Sequence, residues 1–586
     1  MVRSEETIIR PRKPVWMADP TKARVPIFQI VDNDFGAKRF QGLSSQSLHP
    51  HHPVVKEHKA VAEASSVKKL RKTVVNQLEK YCENTTLHGL RYIGDSHLTF
   101  GERIFWFISF SFAIGFAAYY ISNIYEKWKS SPVITSFSPF DADLSSIPFP
   151  AITICNMNQA KKNEAERILR EGQSSFKGFG GFFEPGPICR SDVEKKLLDD
   201  SCNGNASFDI TENISWQSLR DFLVKVGNSC SDMLKSCQWG SQYVDCDEVF
   251  NNDLTDEGLC CSFNRLPPSL IFRNLKDISI LNQTFPNNVY DWNAEKGFED
   301  AEYGEFTIPR RPLGAGAHLG LSVVLDAQVA NYHCSSTRSI GFKVILANPI
   351  ETPKMADFGF LISPGFETRV TIEPSVREAT ETLRDVAVQK RQCYFSNERP
   401  LQYYRFYSQR NCLLECQSNY TLNLCECVPY YLPKNKQIKY CGKIEKFCVE
   451  TAKNDMETVV GNGSNCNCLP SCFSTQYTDL KSYAKLSDKI STADDFPPVS
   501  STYFTQNMAV VQFYFYNSKF TKELKSQLYG FTEILSNVGG LLSLCLGFSF
   551  LSLVEIFYFI TLRLCCEVFH RKVTRNQKQS LIPFLR

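Results

Sequence analysis

The sequence predicts an α+β membrane protein in which two transmembrane helices flank a large, disulfide-rich extracellular domain. Three observations support this fold class: two long apolar runs, a high count of 23 cysteines that lie mostly between those runs, and acceptor sequons for N-glycosylation in the same region. Cysteine at this density indicates an oxidising compartment for most of the 586 residues. The net charge of +3 and the scattered basic residues give no indication of a nucleic-acid partner.

The two apolar runs, residues 104–121 and 534–562, are each long enough to cross a bilayer, because a hydrocarbon core of about 30 Å needs about 20 helical residues. The first run carries no charge, and the second carries only Glu555. Neither run has a polar face, so a buried core helix is the weaker interpretation. A long polar stretch precedes the first run, which therefore is not a cleavable signal peptide.

The segments around these runs place both termini in the cytoplasm. The C-terminal tail is basic, as the positive-inside tendency expects, and nineteen of the cysteines fall between the runs. The predicted order is a disordered cytoplasmic tail (1–75), a cytoplasmic pre-membrane segment (76–103), the first transmembrane helix (104–121), the extracellular domain (122–533), the second transmembrane helix (534–562) and a cytoplasmic tail (563–586). The predicted glycosylation sites are Asn205, Asn213, Asn282, Asn419 and Asn462.

Ten cysteines between residues 393 and 472 predict a ladder of disulfides. Their spacings of four and two residues recur in reverse order at the two ends, which favours nested pairing. A helix that carries Cys412 and Cys416 one turn apart would face a returning segment that carries Cys466 and Cys468. The predicted pairs are Cys393–Cys472, Cys412–Cys468, Cys416–Cys466, Cys425–Cys448 and Cys427–Cys441. Spacing alone allows other connectivities, and zinc ligation is the weaker alternative outside the cell.

Small residues form a stripe along the second apolar run. Ser536, Gly540, Ser543 and Gly547 lie three or four residues apart, so they share one helix face. Close packing between helices and pore lining explain such a stripe about equally well. Glu555 favours the pore, because a carboxylate within the membrane needs water, a partner or an ion path.

Gly547 predicts a break in the second membrane helix. Glycine tolerates unusual backbone conformations, and a broken helix is permitted at membrane depth only where it lines a cavity or is buried in protein. An extended stretch from Gly547 through Phe548 to Ser549 would direct its carbonyl groups and the Ser549 hydroxyl towards the axis, where they can replace part of a cation's water shell. Ser552 and Glu555 would continue the pore lining at three-residue spacings.

Several motifs resemble the degenerin/epithelial sodium channel family across roughly residues 80–565. The strings that carry the resemblance are "CECVPYYLP", "CNCLPSC", "FPAITICN" and the Gly-Phe-Ser of the second run, while "GFKVILANPIETP" and "MADFGFLISPGFETRV" resemble the insect pickpocket branch. The resemblance implies a homo- or heterotrimer, a hand-shaped extracellular domain (palm, thumb, finger and knuckle) with residues 393–472 as the thumb, and a sodium-selective pore commonly blocked by amiloride.

The same resemblance implies roles for individual residues. Gly547, Phe548 and Ser549 would form the selectivity filter, and Ser536 would lie at the position where bulky side chains hold the pore open. Asn537 would lie beside Ser536 in the outer pore. Gating residues would be Ser536, Thr86 and the His-Gly pair, His88 and Gly89, in a re-entrant segment of the cytoplasmic pore. The implied disulfides are Cys155–Cys260, Cys237–Cys246 and Cys261–Cys334, which leaves Cys189, Cys202 and Cys230 unassigned.

The predicted function is therefore a sodium-selective cation channel subunit of the amiloride-sensitive type in the plasma membrane of sensory or epithelial cells. It would be surrounded by lipid and gated through its extracellular domain by a chemical or mechanical stimulus. Residues 160–260 are the expected contact for an unknown ligand or matrix component, and proton sensing has only His318 and His333 outside the cell. The competing class is a non-conducting receptor or regulatory subunit. No nucleophile, metal or cofactor motif indicates an enzyme. Cys565 and Cys566 lie where palmitoylation can occur, although free thiols are the simpler state.

Overall fold

The computed structural model describes residues 75–174, 190–202, 215–275, 281, 292–298, 308–435, 437–442, 445–458, 466–487, 500–563 and 566. The chain divides into two compact units, residues 1–80 and 81–586, and only residues 75–80 of the first are described. The second unit combines helices and sheets, as the α+β prediction requires. The predicted sites Cys189, Asn205, Asn213, Asn282, Asn462 and Cys565 lie outside the described residues.

Nineteen strands are found within the described ranges. They are β1 Val133–Phe137, β2 Ala142–Asp143, β3 Ala151–Asn156, β4 Asn158–Lys161, β5 Leu234–Trp239, β6 Gln242–Val244, β7 Phe250–Thr255, β8 Gly258–Phe263, β9 Trp292–Asn293, β10 Gly297–Phe298, β11 Leu321–Asp326, β12 Tyr332–Ser335, β13 Phe342–Ala347, β14 Phe360–Ile362, β15 Phe366–Ala379, β16 Ser474–Lys485, β17 Met508–Phe515, β18 Lys519–Phe520 and β19 Glu523–Gln527.

Two sheets form the centre of the extracellular region. An eight-stranded sheet has the order β1-β19-β15-β17-β11-β5-β6, with β16 paired to β15, and a five-stranded sheet has the order β14-β13-β3-β8-β7. Apolar side chains from both sheets meet in one core, including Ile154 of β3, Phe342 of β13, Val323 of β11 and Phe513 of β17. Strand β3 is buried at every position, which explains its continuous apolar run "AITIC".

The helices lie mainly in the connections between strands. Residues 75–84 are helical, and the further α-helices are Leu90–Gly94, Phe100–Ser130, Lys162–Ser174, Arg190–Cys202, Trp216–Val226, Cys230–Met233, Cys246–Val249, Pro268–Ile271, Met355–Phe358, Val388–Arg391, Gln409–Cys425, Lys446–Glu457, Ser501–Asn507, Phe531–Leu546 and Phe550–Phe557. A π-helical turn follows at Tyr558–Arg563, and 3₁₀ turns occupy Leu144–Ser146, Ala317–Leu319, Val329–Asn331 and Glu381–Asp385.

The first apolar run lies within one continuous helix, Phe100–Ser130, which is longer than the run itself. Its start is fixed by a capping box in which the Thr99 N–H donates to the Glu102 carboxylate over 2.8 Å. Its end precedes Pro132, which disfavours helical geometry at the residue before it. The helix is long and apolar enough to cross a membrane, and the helix pair Phe531–Leu546 and Phe550–Arg563 meets the same test when taken together.

Strands β1 and β19 connect the central sheet to these apolar helices. They pair antiparallel from Val133↔Gln527 to Phe137↔Glu523. Strand β1 begins shortly after Ser130, and the helix that starts at Phe531 begins shortly after β19 ends. This strand pair therefore adjoins both helices in the chain.

The cysteine-rich segment (393–472) contains the five nested disulfides that spacing favours. Helix Gln409–Cys425 presents Cys412 and Cys416 one turn apart, and the returning loop carries their partners. The side chain of Asn419 in this helix is exposed, as a glycosylation acceptor must be. Cys155–Cys260 and Cys237–Cys246 are also joined.

The expected pair Cys261–Cys334 is wrong. Cys260 and Cys261 are consecutive on β8, so their side chains point to opposite faces of the sheet. Cys260 meets Cys155 on one face, and Cys261 meets Cys230 in the central core. Cys334 instead joins Cys202 at the end of helix Arg190–Cys202, with a Cα–Cα distance of 5.4 Å.

Candidate pore and gate

The second apolar run is broken at the predicted glycine. The first half-helix (Phe531–Leu546) ends at Gly547, which has the left-handed angles φ 64° and ψ 24°. The Gly547 N–H donates to the Ser543 carbonyl over 2.8 Å, which closes the last turn. The second half-helix begins at Phe550, and the two axes differ by 73°. A residue with a Cβ resists this left-handed conformation, so the sequence places glycine where the chain turns.

Ser549 starts the second half-helix. Its hydroxyl accepts from the Ser552 N–H over 3.2 Å, and its own N–H donates to the Ser552 hydroxyl over 3.2 Å. This capping box satisfies backbone donors that a new helix leaves open. The expectation that all of Gly547–Ser549 is extended is therefore corrected: Ser549 has extended angles, whereas Gly547 is left-handed because it terminates the preceding helix.

The turn leaves two backbone carbonyl groups available. Within the part of the chain that the structure describes, no group donates a hydrogen bond to the carbonyl oxygens of Gly547 and Phe548. The Ser549 carbonyl accepts a hydrogen bond from the Leu553 N–H over 3.3 Å. The residue Ser549 is exposed. Carbonyl oxygens that accept no hydrogen bond, together with a nearby hydroxyl, are the type of ligand that an alkali cation needs when it loses part of its water shell.

The stripe of small residues does not pack against the rest of the described chain. Ser536, Asn537, Gly540 and Ser543 are all exposed. A Cβ added at Gly540 would meet nothing within 4 Å. Close packing within the described chain therefore does not explain this stripe.

The pre-membrane segment lies against the break in the helix. The His88 N–H donates to the Leu546 carbonyl over 2.9 Å. The His88 imidazole occupies the space beside Gly547, where an added Cβ would overlap it. Gly89, with φ 83°, turns the chain into helix Leu90–Gly94. The positive φ angles of Gly89 and Gly547 therefore allow the His-Gly segment to pack against the break in the second membrane helix.

Thr86 connects this segment to the second half-helix. Its hydroxyl lies 2.8 Å from the Ser552 hydroxyl, and both its N–H and its hydroxyl donate to the Glu555 carboxylate over 3.1 Å. Ser552 is fully buried by these contacts, so its predicted role in lining a pore is wrong; its side chain links Thr86 to Ser549 instead. Glu555 is half-buried, with its carboxylate oriented by Thr86.

Sequence reasoning identified the members of this site but not their contacts. Thr86 and Glu555 are 469 residues apart in the chain, and no local pattern reports such a pairing. The buried position of Ser552 was missed because three-residue spacing predicts a shared helix face but not the neighbour that covers it. A capping signal, the serine pair at 549 and 552, was available in the sequence and could have placed the helix start.

A second charged site lies between the cysteine-rich helices and the five-stranded sheet. This site, which we call the clasp, consists of Lys354, Asp357, Lys453 and Glu457. The Nζ–carboxylate distances are 2.8 Å for Lys354–Asp357, 2.6 Å for Lys354–Glu457 and 2.5 Å for Lys453–Asp357. Burial raises the pKa of Asp357, but hydrogen bonds from Lys354 and Lys453 outweigh it and lower that pKa below its ordinary value. Asp357 therefore stays ionised at neutral and mildly acidic pH.

A broken apolar helix with open carbonyl groups, an exposed small-residue stripe and an oriented carboxylate are features typical of a membrane channel for cations. The chain belongs to the amiloride-sensitive sodium channel family, whose model matches residues 81–559. The chain is thus a cation channel subunit of the degenerin/epithelial sodium channel kind and not an enzyme. Channels of this family are plasma-membrane proteins with two transmembrane helices that assemble as homo- or heterotrimers of related subunits.

Similar proteins span most of the chain. Pickpocket protein 28 of Drosophila melanogaster is 38% identical over 523 residues, which cover 87% of this chain and 82% of that protein. Pickpocket protein 11 of the same species is 24% identical over 86% of this chain and 80% of its own length. Acid-sensing ion channel 1A of Danio rerio is 23% identical, with 82% and 87% covered. A solved proton-activated chloride channel aligns at 7% identity with a TM-score of 0.25, a likeness too low to support inference.

Proposed function

We propose that this chain forms a sodium-selective, amiloride-blocked pore in the plasma membrane, gated through its extracellular domain by a chemical or mechanical stimulus in sensory or epithelial cells. The observation that supports it best is the turn at Gly547. Two carbonyl groups without hydrogen-bond donors and the exposed residue Ser549 lie together at the 73° change of helix direction. Three such turns around an axis would supply a ring of oxygen ligands for sodium.

The surrounding residues fit distinct steps of conduction. Ser536, Asn537, Gly540 and Ser543 line the outer path, where small side chains leave room for a hydrated cation. Below the turn, Glu555 attracts cations that leave the filter, since a carboxylate at membrane depth is stable only beside water or partners. Sodium is the permeant ion, and no cofactor or resident metal takes part.

The His-Gly segment controls the filter in this proposal. His88 holds the end of the first half-helix through the Leu546 carbonyl, and Thr86 holds the second half-helix through Ser552 and Glu555. The segment therefore bridges both sides of the break. Its displacement would free the two half-helices to change their angle, which alters the width of the oxygen ring.

Currents from cells that express the chain, alone and with related subunits, test this function. Ser536→Val is expected to give a sustained, amiloride-blocked sodium current, because a bulky side chain at this position should hold the pore open. In that background Ser549→Ala should lower the sodium preference over potassium by removing a ligand oxygen, whereas the matched Ser543→Ala, one turn above the filter, should preserve it.

Two outcomes would count against the proposal. An unchanged sodium preference in Ser549→Ala would remove this serine from the filter. Silence of every subunit combination, despite measured delivery to the cell surface, would favour the alternative of a non-conducting receptor or regulatory subunit.

A further inference from the structure

A continuous chain of hydroxyl groups connects Ser549, at the turn between the half-helices, to the carboxylate of Glu555. The Ser549 hydroxyl oxygen lies 3.2 Å from the Ser552 oxygen, which lies 2.8 Å from the Thr86 oxygen. The Thr86 oxygen in turn lies 3.1 Å from the Glu555 carboxylate. Because each hydroxyl group has a single hydrogen atom to donate, a chain of this kind has a direction.

The carboxylate fixes the direction at its own end of the chain. The N–H and the hydroxyl of Thr86 both donate to the same oxygen of Glu555, each over 3.1 Å. A hydrogen bond to an ionised acceptor is roughly twice as strong as one between neutral groups. The Thr86 hydrogen is therefore given to the carboxylate, although the Ser552 oxygen is nearer. In the contact between the two hydroxyl groups, Ser552 must then be the donor and Thr86 the acceptor.

The direction continues to Ser549. Since Ser552 donates its hydrogen to Thr86, its oxygen accepts from both the N–H and the hydroxyl of Ser549, each over 3.2 Å. The Ser549 oxygen accepts from the Ser552 N–H over 3.2 Å, which occupies one of its two lone pairs. Among the described residues no further group donates to this oxygen, and Ser549 is exposed. Its second lone pair therefore remains open.

The open lone pair has the correct sign for a cation. An oxygen that presents a lone pair replaces part of the water shell of an ion, whereas a hydrogen that points the same way repels it. An isolated serine could take either orientation, because its hydroxyl group rotates to suit its partners. In this chain the negative charge of Glu555 selects the orientation in which the Ser549 hydrogen points away from the opening and towards Ser552.

We propose that the Glu555 carboxylate orients the Ser549 hydroxyl through this chain, so that an oxygen lone pair and not a hydrogen faces the permeant cation. Thr86 and Ser552 are then positioning residues, which set the ion preference without touching the ion. This role differs from the general attraction of cations by Glu555, because it acts on the preference between sodium and potassium and only through Ser549. The inference rests on the proposed sodium filter.

Substitutions at Thr86 test the chain in the full-length Ser536→Val protein. Thr86→Val replaces the hydroxyl with a methyl group of similar size, so Ser552 loses its acceptor and donates towards Ser549 instead. The ratio of sodium to potassium permeability, measured from reversal potentials, should fall severalfold. Thr86→Ser restores the hydroxyl and should retain the ratio. The matched control Thr85→Val removes a neighbouring buried hydroxyl that bonds only within its own segment, and it should also retain the ratio.

A double substitution separates action through Ser549 from direct action of the carboxylate on the ion. Glu555→Leu removes both the acceptor and the negative charge, so it should lower the permeability ratio and also reduce the conductance for both cations. In a protein that also carries Ser549→Ala, Glu555→Leu should still reduce the conductance but should leave the ratio unchanged, because the group that it orients is absent. If Thr86→Val does not reach the cell surface, Ser552→Ala interrupts the same chain and should lower the ratio.

The outcomes separate this inference from the proposed function. An unchanged ratio in Thr86→Val, or an equal loss in Thr85→Val, overturns the oriented chain while the channel and its filter stand. A further loss of the ratio when Glu555→Leu is added to Ser549→Ala also overturns it, because the carboxylate would then act on the ion directly. An unchanged ratio in Ser549→Ala alone, or the absence of current from every subunit combination, contradicts the proposed function and this inference together.

Discussion

At the scale of single residues, Gly547 has two separate reasons to be glycine. Its left-handed backbone disfavours any side chain, and the His88 imidazole fills the space that a Cβ would need. The sequence predicted the first reason, because glycine within an apolar helix indicates a break. It could not predict the second, since the contact joins segments more than four hundred residues apart in the chain.

Gly547→Ala should therefore abolish or strongly reduce current while the protein still reaches the cell surface. The left-handed conformation alone costs about 1–2 kcal/mol for a residue with a Cβ, and displacement of His88 adds to it. The control is Gly539→Ala, on the same half-helix, where an added Cβ meets nothing within 4 Å. Wild-type current from Gly547→Ala would contradict the contact between His88 and the break.

At the scale of elements, the disulfide pairing shows what spacing can and cannot determine. The ladder between residues 393 and 472 has the nested pairing that its near-mirror spacing favours, because a helix and its return segment present cysteines in reverse order. The pairs of Cys261 and Cys334 depend on which face of β8 each cysteine occupies and on how the helices fold over the sheet. That information is three-dimensional, so the family resemblance implied the wrong pair, Cys261–Cys334.

Single cysteine substitutions test the corrected pairing. Cys334→Ser should leave a free thiol at Cys202, and Cys230→Ser should leave one at Cys261, as read by alkylation of the denatured surface protein followed by peptide mass spectrometry. Loss of either bond should lower stability by roughly 2–5 kcal/mol. Alkylation of Cys261 in the Cys334→Ser protein would instead support the pair that the structure rejects.

The clasp provides a prediction about pH. Because the pKa of Asp357 is lowered in the folded protein, its stabilising contribution is fully present above the ordinary pKa of about 3.9 and disappears only as the pH falls through the lower, folded pKa. Asp357→Asn should therefore increase amide exchange in helix Lys446–Glu457 by the same factor at pH 7 and pH 5. The expected loss is about 1 kcal/mol, since the partners are partly exposed.

Glu381→Gln serves as the control for this measurement. It removes an exposed ion pair with Arg384 on a different element and should leave exchange in helix Lys446–Glu457 unchanged. A difference between Asp357→Asn and wild type that vanishes between pH 7 and pH 5 would show that Asp357 titrates in that range, contrary to its lowered pKa.

At the scale of the whole molecule, the sequence predicts a disulfide-rich α+β region between two apolar runs because these signals are strong and independent. Long apolar runs, a cysteine ladder and the distribution of sequons each report on one part of a membrane protein. The sequence did not reveal how the two ends of the chain meet at the break in the second membrane helix. That assembly depends on backbone hydrogen bonds such as His88 to Leu546, which any residue pair could make.

The central claim is that three copies of the broken helix surround a water-filled axis, with the turn at Gly547–Ser549 as the cation filter. A cryo-electron microscopy map of the assembled protein in a lipid nanodisc tests it most directly. The account predicts a bend at Gly547 in every subunit, with the Gly547 and Phe548 carbonyl groups and the Ser549 hydroxyl facing ion density on the axis. A straight, lipid-covered helix with Glu555 packed away from any aqueous path would contradict it.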